Sequence, residues 1–261
     1  MKLAVITLSR EGGKLAASLL DAIPGAAGFI HEKVDGADGR LKKFSRVVEL
    51  TAKIFKKHDG LVYIAPCGAV VRAIAPHISG KKTDPAVVVV DIGGRYAVSL
   101  LSGHEGGANG LAVQVSNIIG AEPVISTSTD AAKNLIVGVG CRKGKEAAAI
   151  VAAVKSALEE AGERIEKVRV IASADVKSDE AGLIEAAREL GAPLRFIPSE
   201  DIRNTWREFS RSKFVQQSVN LPAVAEPAAL LAGRRTSLIL EKRKYGGVTV
   251  ALARENCSSL E

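Results

Sequence analysis

The amino-acid sequence predicts an α/β fold of two small domains, each with a parallel or mixed sheet covered by helices. Two observations lead to this prediction. β-branched runs such as Val87–Val90 alternate along the chain with helical patterns, as expected for strands buried between helices. The alternation stops in the polar stretch 126–130 and then restarts, which places a boundary near residues 127–134. The domains are therefore predicted at residues 1–130 and 135–254.

The first domain is predicted to begin with a strand and to alternate strands with helices. The turn Ser9–Gly13 lacks the GxGxxG and GKS/GKT patterns, so its glycines are weak evidence for a nucleotide. His58 follows the second helix, where a histidine favours the helix dipole. The predicted strands are Lys2–Leu8, Gly28–His31, Gly60–Ala65, Val87–Val90, Tyr96–Leu101 and Pro123–Ser126. The predicted helices are Lys14–Leu20, Phe44–Lys57 with Val48 inward, a short one carrying Arg72, and Leu111–Ile119.

The second domain repeats the alternation and ends in a predicted hairpin whose turn is the basic segment Lys242–Gly246. Its predicted strands are Leu135–Val139, Val168–Ala172, Leu194–Ile197, Ser237–Glu241 and Gly247–Ala253. Its predicted helices are Glu146–Ala161, Ala181–Leu190, Arg203–Gln217 and Ala225–Ala232. The third of these is amphipathic, and we expect its aromatic residues to pack inward: Trp206, Phe209 and Phe214.

The composition narrows the classes of partner. The chain has 261 residues and a formal net charge of +7, which favours acidic partners. Its basic doublets lack the interleaved aromatic residues that stack on nucleic-acid bases. A polycarboxylate small molecule fits the charge as well, and we expect no nucleic-acid partner.

Cysteine and histidine spacing predicts neither a disulfide framework nor a metal site. The three cysteines are widely separated, and the four histidines lack ligand spacing, so we expect no metal or cofactor held by the protein. No apolar run approaches the roughly 20 residues of a membrane helix, and the start of the chain is interpreted as a strand. We therefore expect a cytoplasmic protein without membrane contact, and a homodimer is compatible with the sequence.

Most residues that could carry chemistry lie between Ile64 and Val113. Gly103, Gly106 and Gly107 precede an apolar helical pattern; glycine lets a ligand approach the backbone, and a helix start offers N–H groups to anions. Open α/β sheets bind ligands at the carboxyl ends of their strands. Two strand-to-helix turns are therefore predicted to bring four side chains to one end of the sheet: His104, Asn109, Arg72 and Cys67.

Each of these candidates also has a structural interpretation. His104 is the candidate for proton transfer because an unperturbed histidine titrates near neutrality, and it could instead bond the loop backbone. Glu105 and Asp91 are further candidates, although Asp91 could be only a turn residue and Asn109 could bond its own helix. At Cys67, a small buried cysteine is favoured over a nucleophile.

Basic residues of the second domain are predicted to contact an anionic ligand. Arg142 and Lys143 occupy a glycine-flanked turn before a helix, an arrangement typical of an anion site. Lys177 precedes the next helix, where Ser178 or Asp179 would be an ordinary cap.

Several of these segments carry a resemblance. GAVVRAIAP, KKTDPAVVVVD and LLSGHEGGANGLA, and later VGVGCRKG, VAEPAALLA and GGVTVALAR, resemble the cobalt-precorrin-5A hydrolase (CbiG) family. The resemblance implies anaerobic cobalamin biosynthesis: hydrolysis of the lactone of cobalt-precorrin-5A, with release of acetaldehyde to give cobalt-precorrin-5B. The partner would be a cobalt-bound tetrapyrrole polycarboxylate, and cobalt would arrive chelated in that substrate. Family members generally carry a further segment where this chain has only Ala131–Val137.

The implied reaction suggests roles for the candidates. His104 would be the base for the water that attacks the lactone, with the Gly106–Gly107 backbone and the Asn109 amide as donors to the oxyanion. Glu105 or Asp91 would take the proton of the resulting hydroxyl. The peripheral carboxylates would be held by basic side chains: Arg72, Arg142, Lys143 and Lys177. Two alternatives remain open, a non-catalytic tetrapyrrole carrier and a nucleotide- or nucleic-acid-binding protein.

Overall fold

The structure, a computed structural model, describes residues 1–36 and 38–258 and confirms the predicted α/β class. The chain separates into two compact units, Met1–Thr127 and a second unit that begins at Ser128. Each unit has its own sheet with helices on its faces. Among the described residues, we find no helix with the length and apolar character needed to span a membrane.

Within the described residues of the first unit, we find seven strands and four helices. The strands are β1 (Leu3–Thr7), β2 (Ala27–His31), β3 (Leu41–Phe44), β4 (Gly60–Ile64), β5 (Ala86–Val90), β6 (Tyr96–Leu101) and β7 (Glu122–Val124). The helices are α1 (Arg10–Ala22), α2 (Val47–Ile54), α3 (Cys67–Ile74) and α4 (Ala108–Ile119), with 3₁₀ turns at Phe55–Lys57 and Ala75–His77.

The seven strands form one sheet in the order β3-β2-β1-β4-β5-β6-β7. Strands β1 to β5 are mutually parallel, whereas β6 pairs antiparallel with β5, and β7 pairs parallel with β6. Thr7, Ile64 and Val90 therefore mark one end of the sheet, the carboxyl end. Leu101 and Val124, which close β6 and β7, mark the opposite end, the amino end.

Strand β5 shows how the sheet is buried. Val88 and Val90 pack into a cluster with α1 and α4, while Val87 and Val89 pack into a second cluster with α2 and α3. Side chains alternate between the two faces of a strand, so both faces of β5 are covered. The prediction of a strand buried on both faces is confirmed.

Two local predictions in the first unit are wrong. Helix α1 begins at Arg10 instead of Lys14, so Gly12 lies inside it, and the glycine is required by close packing because a Cβ would stand 2.1 Å from Thr7 Oγ1. Phe44 ends strand β3 instead of starting a helix, and Val48 is 43% exposed instead of inward.

In the described residues of the second unit, the strands are β8 (Leu135–Cys141), β9 (Val168–Ala174), β10 (Leu194–Ile197), β11 (Thr236–Tyr245) and β12 (Val248–Glu255). They form one sheet in the order β10-β9-β8-β12-β11. Strands β8, β9 and β10 are parallel, and β12 and β11 continue the sheet in antiparallel fashion. The helices are α5 (Ser128–Ala131), α6 (Ala147–Glu160), α7 (Ala181–Glu189), α8 (Ser199–Asn204), α9 (Lys213–Val219) and α10 (Ala225–Leu231).

The predicted helix Arg203–Gln217 is wrong. Helix α8 stops at Asn204, and residues 205–212 run without regular secondary structure before α9. The buried Glu226 carboxylate holds this segment by accepting hydrogen bonds from the Ser210 N–H (2.6 Å) and hydroxyl. Trp206 is 87% exposed, which contradicts its predicted packing, and Phe209 is half-buried. The side chain of Phe214 lies outside the described part.

The terminal hairpin also differs from the prediction. Lys242–Tyr245 belong to strand β11, and the turn is Gly246–Gly247, where both residues have positive φ (53° and 91°). Two successive left-handed residues suit a tight two-residue turn, which explains a pair of glycines at this point.

Candidate active site

The predicted gathering of candidates at one end of the sheet is wrong. His104 and Asn109 follow β6 and lie at the amino end, whereas Cys67 and Asp91 follow β4 and β5 and lie at the carboxyl end. The difference arises because β6 runs antiparallel to β5. The turn that follows β6 therefore lies at the amino end of the parallel strands instead of at their carboxyl end. Arg72 is on α3, which begins at the carboxyl end.

At the amino end, residues Ser102–Gly107 form a turn that we call the glycine loop. Ser102 has a φ of 57°, a left-handed conformation that is uncommon for a residue with a side chain. Its carbonyl accepts the N–H groups of Gly106 (3.1 Å) and Ala108 (3.2 Å), which closes the turn onto the start of α4. Its hydroxyl is buried and has no hydrogen-bond partner in the described part of the chain. Such strain is typical of functional turns.

The glycines of this loop are required by close packing and by backbone conformation. A Cβ at Gly103 would lie 2.8 Å from Asn109 Oδ1, and one at Gly106 would lie 2.4 Å from Ser102 Cβ. Gly107 has a φ of 84°. The residues that the sequence predicted as places of close ligand approach therefore have a first role in forming the loop itself.

Asn109 braces the glycine loop from the first turn of α4. It is buried; its Oδ1 accepts from the Ser99 hydroxyl (2.7 Å), and its Nδ2 donates to Thr127 Oγ1 (2.9 Å). Its backbone N–H donates to Gly103 O (3.0 Å). Because the N–H of Gly106 is bonded to a carbonyl as well, two of the predicted oxyanion donors already have hydrogen-bond partners.

The two polar side chains of the loop differ in their surroundings. Glu105 forms an ion pair with Lys81 at 2.8 Å, and this contact lowers the pKa of Glu105 below its usual value. A carboxylate held ionised in this way is a weak base. His104 is exposed, and among the described residues none makes a hydrogen bond to its ring.

Beside the glycine loop is a cavity of about 530 Å³ at the amino end of the sheet. The residues that line it precede β4, precede β5 or follow β6: Phe55, Lys56, His58, Asp59, Ser79, Thr83, Asp84, Pro85 and Gly106. The volume is within the range of small-molecule sites. His58 was predicted only as a helix-end residue; its place directly before strand β4 is the signal that it belongs to the amino end.

The acids of this cavity are bonded to backbone. Asp84 is buried, and its carboxylate accepts the N–H groups of Ser79 (3.0 Å) and Gly80 (2.9 Å). Asp59 accepts the N–H of Lys2 at 2.6 Å. Both carboxylates therefore hold loops in place at the amino end.

Asp91, at the carboxyl end, organises the turn between β5 and β6. Its carboxylate accepts N–H groups from Gly93 (3.1 Å), Arg95 (2.8 Å) and Tyr96 (2.8 Å), and it forms an ion pair with the Arg95 side chain. Burial alone would raise the pKa of Asp91, but these donors together lower it. The arrangement matches the turn-residue alternative.

Two further candidates lie on α3. Cys67 is exposed at its first residue, so the expectation of a buried cysteine is wrong. Arg72 is exposed and donates from Nη1 to Gly68 O at 3.1 Å, one turn earlier in the same helix. Cys67 starts α3 at the carboxyl end, opposite to the glycine loop, whereas Arg72 is in the last turn of the helix.

The three basic residues predicted to contact an anion in the second unit differ in burial. Arg142 and Lys143 are exposed in the turn after β8. Lys177 is buried and paired with Glu180 at 3.1 Å, and Glu180 also accepts the N–H of Gly144 at 2.9 Å. Burial raises the pKa of Glu180, but these two donors outweigh it and lower the value. Lys177 therefore stabilises the basic turn through Glu180.

Fold and site together define a class: a chain of two α/β units, the first carrying a strained glycine loop beside a cavity. Residues 49–130 match the family model described as cobalamin synthesis G N-terminal, and residues 135–253 match the one described as cobalamin synthesis G C-terminus. The chain belongs to the cobalamin synthesis G family. No group of three or more His, Cys, Asp or Glu side chains within the described ranges is arranged to hold a metal ion.

Two named relatives align with nearly the whole chain. The cobalt-precorrin-5A hydrolase of Priestia megaterium is 25% identical over 352 residues, covering 96% of this chain and 94% of the relative. The probable cobalt-precorrin-5A hydrolase of Methanocaldococcus jannaschii is 23% identical, covering 98% and 100%. The crystal structure of CobE, a protein from the cobalamin (vitamin B12) biosynthetic pathway, is 32% identical with a TM-score of 0.43, covering 47% of this chain and 91% of CobE.

Proposed function

We propose that the protein is a hydrolase of cobalamin biosynthesis that opens the lactone of cobalt-precorrin-5A and releases acetaldehyde. The names of relatives aligned over almost all of this chain support the substrate. The observation that carries the proposal is the glycine loop: it is strained at Ser102, and its tightly packed Gly106 lines a cavity at the amino end of the first unit.

The first chemical step is attack of water on the lactone carbonyl. His104, exposed beside the cavity wall, is proposed to take the proton of this water and to return it to the leaving alkoxide oxygen when the ring C–O bond breaks. The Gly107 N–H, for which the described residues offer no acceptor, and the Lys56 ammonium are available for the oxyanion. The product of this step is a hydroxyalkyl acid.

The second step is loss of the two-carbon fragment. The hydroxyl gives up its proton, its oxygen forms the carbonyl of acetaldehyde, and the C–C bond to the macrocycle breaks. Neither acid first considered for this proton suits the task, because Glu105 is paired with Lys81 and Asp91 lies at the carboxyl end. Cobalt is proposed to enter as part of the substrate, and Arg142 and Lys143 to bind peripheral carboxylates.

The test is incubation with cobalt-precorrin-5A, followed by an acetaldehyde assay and mass spectrometry of the tetrapyrrole. Wild-type protein should release acetaldehyde, and His104→Ala should lower kcat by about 10²–10⁴-fold while binding persists. His31→Ala, which changes a histidine at the carboxyl end of β2, is the matched control. Binding without acetaldehyde from the wild type would replace this proposal by the carrier alternative.

The carrier alternative has an observation in its favour. The alignment with the Priestia megaterium protein is 352 residues long, more than the 261 residues of this chain, so the relative carries segments absent here. The two family-model matches, 49–130 and 135–253, are nearly adjacent in this chain, and we propose that part of the relative's extra length lies between the corresponding domains. If that segment encloses substrate, its loss would spare binding and reduce turnover.

A further inference from the structure

His58 has one ring nitrogen held against a backbone acceptor, whereas the Nδ1 of His31 accepts the N–H of Lys33 at 3.2 Å. Its Nδ1 lies 3.1 Å from the carbonyl oxygen of Ile54, at the end of α2. A carbonyl can only accept a hydrogen bond, so Nδ1 carries the proton and the neutral ring keeps its lone pair on Nε2. A base whose second nitrogen is held by an acceptor is oriented for proton transfer.

The oriented ring of His58 lies at the cavity beside the glycine loop. The half-buried ring lines the 530 Å³ cavity together with Gly106 of the glycine loop, so it faces the same space as the wall that adjoins His104. The two acids that line the cavity, Asp59 and Asp84, are bonded to backbone N–H groups, and Lys56 supplies positive charge. Among the described lining residues, His58 therefore combines a fixed ring with an uncommitted nitrogen lone pair.

We propose that His58 is a catalytic residue whose Nε2 takes the proton of the substrate hydroxyl in the fragmentation step. This assignment rests on the proposed function and fills the role that neither Glu105 nor Asp91 suits. The hydroxyl proton passes to Nε2, the O–H bonding electrons form the aldehyde carbonyl, and the C–C bonding pair moves into the conjugated macrocycle. The proton on Nε2 then returns to the macrocycle carbon, so no oxidant or reductant is needed.

Two substitutions separate this chemistry from a structural role at the helix end. The amide nitrogen of asparagine is bonded to Cγ, like Nδ1 of histidine, so His58→Asn can keep the hydrogen bond to Ile54 O while removing Nε2. Glutamine places its nitrogen one bond further out, so His58→Gln loses the bond to Ile54. A residue with only a structural role would tolerate the first change and not the second. His31→Asn is the control, because His31 closes β2 at the opposite end of the sheet.

We expect the His58 and His104 variants to block different steps of the reaction, fragmentation and lactone opening respectively. With cobalt-precorrin-5A, His58→Asn should keep the wild-type Tm and KM, lower the rate of acetaldehyde release by about 10²–10⁴-fold, and accumulate a ring-opened tetrapyrrole that has gained one water. His104→Ala should accumulate no such species, because the lactone stays closed. With His58→Ala, added imidazole should restore part of the acetaldehyde release.

Failure of the His58 assignment and failure of the proposed function give different results. Acetaldehyde release at the wild-type kcat by folded His58→Asn overturns the assignment of His58 and leaves the proposed function standing. Loss of acetaldehyde without the ring-opened species overturns the assignment to the fragmentation step. If the wild-type protein binds cobalt-precorrin-5A and releases no acetaldehyde, the proposed function is overturned. The assignment of His58, which rests on that function, is then overturned as well.

Discussion

Replacement of Gly106 by alanine tests the central role given to the glycine loop. A Cβ at this position would lie 2.4 Å from Ser102 Cβ, 3.0 Å from Ser102 O and 3.3 Å from Asp84 O. The two oxygens belong to the backbone, so they cannot swing away as a flexible side chain would. Overpacking of this kind typically costs about 1–3 kcal/mol. We expect Gly106→Ala to lower the free energy of unfolding by that amount.

The matched control lies four residues further along. Gly110 is exposed in α4, and a Cβ there would meet no atom within 4 Å. Alanine is preferred over glycine in a helix interior by roughly 0.5–1 kcal/mol, so Gly110→Ala should raise the free energy of unfolding. The same chemical change is therefore expected to have opposite signs at two nearby positions. Urea unfolding followed by circular dichroism measures both.

The functional consequence follows from the position of Gly106 in the cavity wall. To admit a Cβ, Gly106 must move away from Ser102 and from Asp84, and we expect this movement to displace His104 in the same loop. A misplacement of about 1 Å can cost on the order of 10²-fold in rate, so we expect a lower kcat in Gly106→Ala and an unchanged one in Gly110→Ala. Equal stability and equal turnover of the two variants would refute the packing argument.

Two further predictions concern the second unit. Glu180→Gln leaves the buried Lys177 without its charged partner and should cost about 3–5 kcal/mol of stability, measured by thermal unfolding; a smaller loss in Glu180→Gln/Lys177→Met would show that the unpaired charge is the cause. Because the fold lowers the pKa of Glu180, its stabilisation is present above the usual glutamate pKa and is lost as the pH falls through the folded value, so the difference between wild type and Glu180→Gln should shrink in acid. Changing Arg142 and Lys143 together to alanine should raise KM with little change in kcat, since charge-assisted hydrogen bonds are worth about 1.5–3 kcal/mol each; an unchanged KM at low salt would contradict this.

Local patterns in the sequence were sufficient to predict most strands. The run Val87–Val90 and the segment Tyr96–Leu101 are found as strands because β-branched and apolar residues dominate them. The edge strand Leu41–Phe44 was missed because its two central lysines are exposed and leave no apolar run to detect. The helix expected at Arg203–Gln217 fails for another reason: a distant carboxylate, Glu226, holds part of it in an irregular path.

The residues of the site could be predicted from the sequence, but their arrangement could not. Spacing in the sequence identified the glycine loop, yet no motif within the loop indicates the direction of β6 relative to β5. The tight turn at Gly93–Gly94 was the available signal, because so short a connection joins antiparallel strands, whereas parallel neighbours need a crossover. By that rule, His104 and Asp91 belong to opposite ends of the sheet.

This reversal decides which residues can take part in the proposed chemistry. In an open parallel sheet, ligands usually bind at the carboxyl ends of the strands. Here the antiparallel β6 brings the glycine loop to the amino end, where the segments before β4 and β5 become its neighbours. Those segments supply His58 and Asp84, one a ring with a fixed tautomer and the other a carboxylate that holds its loop. The partners of His104 should therefore be sought immediately before the parallel strands, and not after them.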